Sequence, residues 1–177
     1  IYPQYTLSNL MDDLITVDQL LVEGPRGIKI LPASSGDIMV MKNVKHYQQA
    51  LINAYMDLRK DYDYILIDTG AGISDLTIDF VLSADKVLVV TTPEPTAITD
   101  AYAMIKVLYY RAKSPDIGLI INLAQTEDEG KTIYNKINLI VQHFLNKSVV
   151  HAGTIPLDKS IPEAVKEQVP LVIKRPR

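Results

Sequence analysis

The 177 residues contain no cysteine. Disulfide scaffolds, thiolate metal centres and cysteine nucleophiles are therefore excluded. Long apolar runs are also absent. None approaches the ~20 residues that a membrane-spanning helix needs. There is no excess of basic residues: 18 Lys and Arg stand against 21 Asp and Glu, a formal charge of −3. A domain that grips nucleic acid over a broad surface would be strongly basic, so no nucleic-acid partner is expected. No signal peptide opens the chain, and a cytoplasmic location is the expectation. The chain starts on Ile1 rather than Met, which reads as a fragment or a processed chain.

What is present is ordinary for a globular protein: 47% hydrophobic and 22% charged residues. A chain of this length is expected to form one domain, spanning 1–177, with a core that needs no metal or disulfide. Short apolar runs alternate with helical periodicity. Ile28–Leu31, Tyr64–Ile67, Lys86–Thr91, Ile117–Asn122 and Val149–Ile155 read as strands. Helices are predicted over about 41–60, from Ser74 and Asp75 to Ser83, over 96–113 and around Ile133–Phe144. Leu7–Glu23 reads as helical with Asp18 as a cap, and Ser160-Ile161-Pro162-Glu163 has capping-box spacing. The strand runs are continuous rather than alternating, as where both faces of a sheet are covered. The predicted class is α/β: a mainly parallel, doubly wound sheet with helices on both faces.

Ligands bind such sheets at the carboxyl ends of the strands. Here those ends carry Pro32–Gly36, Asp68-Thr69-Gly70-Ala71-Gly72, Thr91–Pro95, Asn122 and Pro156-Leu157-Asp158. An aspartate delivered by four apolar residues and followed by glycines can hold a magnesium-bound water, while the glycines sense a γ-phosphate. A plain strand-to-helix turn with a capping aspartate explains the same residues equally well. Gly130-Lys131-Thr132 imitates the end of a phosphate loop, but Gln125 stands where that motif requires glycine. Glu127, Asp128 and Glu129 would also repel phosphate and are better placed as first-turn acids of a helix. His46, His143 and His151 lack metal-site spacing. Tyr102, Tyr109 and Tyr110 read as sheet packing with hydroxyls at the rim, and Lys174, Arg175 and Arg177 as a solvated basic end.

Tyr62–Ser74, with its Asp-Thr-Gly-Ala-Gly, resembles the Walker B strand and switch II of the MinD/ParA family of deviant Walker A ATPases. Val89–Tyr102 fits the next family stretch. Leu31–Gly36 and Gly153–Asp158 are similar as well. The wording is nearer to the flagellar number regulators, the FlhG branch, than to division-site members. The resemblance implies a P-loop NTPase fold, ATP and Mg2+ as cofactors, and a homodimer closed around ATP. It implies that Asp68 holds Mg2+ through water and that Thr69, Gly70, Ala71 and Gly72 form switch II, with Gly70 and Gly72 in the catalytic loop. Asn122 would contact adenine, Pro156 and Asp158 would lie on the base side, and Glu94 would face the partner subunit. A flagellar GTPase or basal-body protein is the implied partner, with membrane contact only through a C-terminal helix. These residues hold no Lys-Gly-Gly-x-Gly-Lys-Thr loop, no switch I aspartate and no such membrane helix. The chain therefore reads as starting just after switch I, without a central strand. Inner sheet edges are then expected to stay open or to find new pairing, and this chain alone is expected to bind ATP poorly. Two alternatives stay open: a nucleotide-independent interaction module presenting helix 96–113, and a division-site or partitioning ATPase of the same family. A receiver-type domain is disfavoured, because Leu31-Pro32-Ala33 brings no acids to the first strand end.

Overall fold

The structure is a computed structural model that describes residues 4–5, 7–12, 14–32, 44–70 and 72–174. Contacts divide the chain into two compact units, Ile1–Asp68 and Thr69–Arg177.

In the first unit, helices α1 (Leu7–Met11) and α2 (Val17–Leu20) precede a small antiparallel ribbon of β1 (Val22–Glu23) and β2 (Lys29–Ile30). Helix α3 (Val44–Leu58) follows. The single helix expected over Leu7–Glu23 is thus broken. Thr16 rather than Asp18 caps α2, its N–H donating to Gln19 Oε1 at 2.9 Å. Val17, Ala54 and Leu58 make the core, with Leu10, Leu21, Leu31, Tyr62 and Ile65 packed against it. The exposed His46 donates from Nε2 to the Met11 carbonyl at 3.1 Å.

Two strand expectations change here. Ile28–Leu31 is strand only at Lys29–Ile30, and it pairs within the ribbon. Tyr64–Ile67 joins no sheet among the described residues. Within this run only Ile65 packs inward, while Tyr64, Leu66 and Ile67 are 89%, 90% and 44% exposed. A strand is made by its hydrogen-bonded neighbour, and an apolar run cannot announce whether that neighbour is present.

The second unit has α4 (Asp75–Ser83), β3 (Val87–Thr91), α5 (Pro95–Arg111), β4 (Ile117–Ala124), α6 (Glu127–Leu145), β5 (Val150–Pro156), α7 (Ile161–Lys166) and α8 (Leu171–Lys174). The strands form a parallel sheet in the order β3-β4-β5. No strand pairs with the outer edge of β3 among the described residues. Parallel pairing by way of intervening helices is the βαβ arrangement that the alternating pattern predicts. The core is Ile105 and Leu108 of α5, Leu119 and Ile121 of β4, and Ile137 and Val141 of α6, all fully buried. On β3, Val89 and Thr91 are buried, while Leu88 and Val90 remain about half exposed.

Ser74 caps α4 as expected, accepting from the Thr77 N–H at 3.1 Å. The box expected at Ser160 does not form. Asp158 Oδ1 accepts from both the Ser160 N–H and its hydroxyl, so that side chain is turned away from the helix. Tyr102 and Tyr109 pack on the core, but Tyr110 is exposed rather than packed. His143 is exposed, whereas His151 stacks on Tyr134 with ring centroids 4.8 Å apart.

Tyr109 donates its hydroxyl hydrogen to the Ser148 carbonyl at 2.7 Å. Burial, and then the charge of Asp116, push its pKa above the ordinary tyrosine value. The neutral phenol is the form favoured on folding. Its contribution is complete below the unfolded value of about 10 and is lost as pH rises through the folded value. Tyr109→Phe is expected to cost about 1 kcal/mol at neutral pH, the net worth of a hydrogen bond. It should also remove this residue's share of alkaline sensitivity. Urea unfolding of both proteins near neutrality and above about pH 10 tests both points.

Candidate nucleotide site

The carboxyl ends of β3, β4 and β5 bring together part of what the sequence singles out. In the ladder Asn122 faces Ile155, and Ala124 faces Pro156. Leu123 is the extra residue between them, a bulge with a left-handed φ of 59°. Asn122 is half-buried, and its Oδ1 accepts from the Leu123 N–H at 3.0 Å. The Leu157 N–H donates to the Ala124 carbonyl at 2.8 Å, tying the loop after β5 to the end of β4. Asp158 closes that loop on Ser160. Asn122, Pro156 and Asp158 are therefore neighbours along one edge. Thr92 follows β3 at the same edge, with its Oγ1 buried and without a hydrogen-bond partner.

The remaining candidates fall in both units. Asp68 ends the first unit with its side chain exposed, and no described residue pairs with its carboxylate. Thr69, Gly70 and Gly72 open the second unit and are exposed. Gly72 takes a φ of 110°, a conformation that favours glycine and lets the chain turn into α4 two residues before the Ser74 cap. No described hydrogen bond joins Thr69–Gly72 to the Asn122 group. Ala71, and Ala33–Gly36 of the loop after Leu31, lie outside the described residues. Glu94 is exposed at the N-terminus of α5, its carbonyl accepting from the Ile98 N–H at 3.0 Å. No three metal-ligating side chains gather among the described residues.

Gly130-Lys131-Thr132 lies within the first turns of α6. Thr126 caps that helix by accepting from the Glu129 N–H at 3.1 Å, and Glu129 accepts in turn from the Gln125 N–H. Gly130 is buried against Thr154 of β5. The glycine serves close helix–strand packing, and its neighbouring acids serve the helix start.

Sequence reasoning missed Leu123 and Thr92. Thr92 stands in a stretch named as a strand end, where a polar side chain directly after an apolar strand was the available signal. Leu123 offers none, because leucine carries no mark of a left-handed backbone.

The family model of the ParA group described as "NUBPL iron-transfer P-loop NTPase" matches residues 28–177. The chain belongs to the ParA/MinD family of P-loop NTPases. It is 34% identical over 166 residues to "Antiactivator FleN" of Pseudomonas aeruginosa, covering 94% of this chain and 59% of that protein. It is 30% identical over 157 residues to "Flagellum site-determining protein YlxH" of Helicobacter pylori, covering 86% and 51%. The chain thus spans only about half to three-fifths of these relatives' length. Among solved structures, the cell division ATPase MinD of Pyrococcus furiosus aligns with a TM-score of 0.76 at 23% identity, over 99% of this chain and 70% of that one. A ParA family ATPase from Chlorobium tepidum aligns at 0.77 and 17% identity, over 100% and 72%. At these identities the structures establish the ParA/MinD fold. No helix among the described residues is long and apolar enough to cross a membrane.

Proposed function

We propose that the chain is the central and C-terminal part of a Mg-dependent, ATP-binding and ATP-hydrolysing switch that regulates flagellar number or placement. The observation that carries this reading is the 34% identity to FleN across nearly the whole chain. The YlxH match supports the same direction.

The residues suit a nucleotide. An Asn122 amide held at a strand end, beside a buried hydroxyl without a partner, is polar chemistry waiting at the place where parallel sheets take ligands. Asp68 offers a hard oxygen donor with no partner among the described residues, a donor type that would suit Mg2+. When bound, Mg-ATP supplies the phosphoryl group and the charge that the metal offsets. In this reading Asp68 would hold Mg2+ through water, Thr69–Gly72 would lie near the terminal phosphate, and Asn122 with the Pro156–Asp158 loop would hold the base. Homodimerisation around ATP, with Glu94 near the partner subunit, belongs to the same proposal. So do a flagellar GTPase or basal-body partner and a cytoplasmic protein that meets the membrane only peripherally.

These 177 residues hold no phosphate loop, so the backbone cradle and lysines that offset phosphate charge are not among them. The full-length gene product is expected to bind Mg-ATP at micromolar concentration. The 177 residues alone should bind it at least about 100-fold more weakly, as expected when charge-assisted phosphate contacts are lost. Isothermal titration of both decides this. Micromolar binding by the 177 residues would overturn the proposed division of labour, and no binding by the full-length protein would overturn the ATPase reading.

A further inference from the structure

We propose that Leu123 is a positioning residue, and that its left-handed backbone sets the preference of the Asn122 amide for adenine over guanine. The inference rests on the nucleotide reading above. It goes beyond that reading in assigning base discrimination to a residue whose side chain touches no base.

Leucine rarely adopts a φ of 59°, which places Cβ against the following carbonyl. Packing of its side chain does not explain the conformation, since Leu123 is 41% exposed. What holds it is polar. The Leu123 N–H is turned onto Asn122 Oδ1 at 3.0 Å, and the next residue, Ala124, is fixed by the Leu157 N–H at 2.8 Å. As the extra residue of the bulge, Leu123 has no ladder partner on β5 that would take its N–H instead. Backbone strain at Leu123 and orientation of Asn122 are thus one arrangement.

That arrangement decides which way the amide faces. An N–H donor can only meet the oxygen, so the Leu123 N–H excludes the flipped amide. One lone pair of Oδ1 is occupied and the other remains. No described residue accepts from Nδ2. The side chain therefore offers one acceptor and one donor in a fixed order. The N6 amino group and N7 of adenine match that pair. Guanine presents O6 and N7, two acceptors, and its O6 would meet a locked oxygen. An amide free to flip could turn its NH2 to guanine and would discriminate less.

The test compares Leu123→Gly with Leu123→Val in the full-length gene product. Glycine keeps the N–H and accepts φ 59° without strain. The Gly variant should bind ATP within about twofold of wild type, keep the same ATP-to-GTP ratio, and melt at a higher temperature. Valine, β-branched, strongly disfavours this backbone. The Val variant should lose about tenfold or more in ATP affinity, the scale of one bidentate base contact, with a smaller loss for GTP and so a reduced ratio. Amide hydrogen exchange at residue 123, which needs no nucleotide, should be slow in wild type and Gly and fast in Val. A Val variant with unchanged ratio and a protected amide would overturn the proposal, as would a Gly variant that loses the preference. If the Val protein does not fold, the Gly variant and the wild-type exchange rate still decide. Failure of wild type to bind any nucleotide would overturn the ATPase reading, and this inference with it.

Discussion

Gly130→Ala is expected to destabilise the second unit by about 2 kcal/mol, against the usual sign for glycine-to-alanine in a helix. Inside a helix that exchange ordinarily gains up to about 1 kcal/mol, because alanine has less backbone freedom to lose. Here the added Cβ would stand 2.2 Å from Thr154 Oγ1, 2.4 Å from Cγ2 and 2.8 Å from Cβ. Turning the threonine about χ1 could move the first two atoms but not the third. Oγ1 is also engaged by His151 Nε2 at 3.2 Å. Helix α6 must therefore shift away from β5, opening the contact through which Ile133, Ile137 and Val141 close the core. Overpacking of this kind costs about 1–3 kcal/mol, occasionally more, so the clash outweighs the propensity gain. Urea unfolding should show a lower midpoint with an unchanged slope. Adding Thr154→Ala should recover part of the loss, because it removes two of the three close atoms. Equal or greater stability for the single variant would show that the helix and strand can separate freely. A neighbouring variant separates packing from phosphate chemistry. Lys131 is exposed and serves no loop, so Lys131→Ala in the full-length protein should leave ATP affinity unchanged.

The strands Val87–Thr91 and Ile117–Ala124 were legible because each is a largely apolar run bounded by turns, and Val150–Pro156, with His151, Gly153 and Thr154 inside it, was legible from its place before Pro156 in the alternating pattern. The helices before and between them were legible from spacing, and the caps at Ser74 and Thr126 conform to simple rules. What could not be read depended on competition or on absent neighbours. Ser160 has the spacing of a capping box, yet Asp158 two residues earlier takes its hydroxyl. Tyr64–Ile67 has strand composition, yet composition does not supply a pairing edge. Within the candidate site, Asn122, Pro156 and Asp158 were legible as strand-end residues. The bulge that orients Asn122 was not, because it is produced by ladder register and by a leucine where a glycine or asparagine would have signalled it.

Asp68→Ala in the full-length gene product is expected to reduce Mg-dependent ATP hydrolysis by about 100- to 1000-fold, the scale of losing one preorganised electrostatic contact to the reacting centre. The fold should hardly notice. The Asp68 side chain is exposed and no described residue depends on its carboxylate, so unfolding midpoints should agree within about 0.5 kcal/mol. A structural capping aspartate would behave in the opposite way, losing about 1 kcal/mol with little effect on turnover. The Ser74 side chain already accepts from Thr77 at the start of α4, which leaves that role filled. Asp68→Asn sharpens the comparison. It keeps the size and one acceptor oxygen but removes the charge, and it should be nearly as impaired as alanine if the carboxylate works through a hydrated metal. Binding of ATP without Mg2+ should be unchanged in both variants, since the base contacts at Asn122 and the Pro156–Asp158 loop remain. Hydrolysis at the wild-type rate in Asp68→Ala would show that the charge on the metal is met elsewhere. Glycine flexibility at Gly70 and Gly72 would then have to act without the aspartate that precedes them.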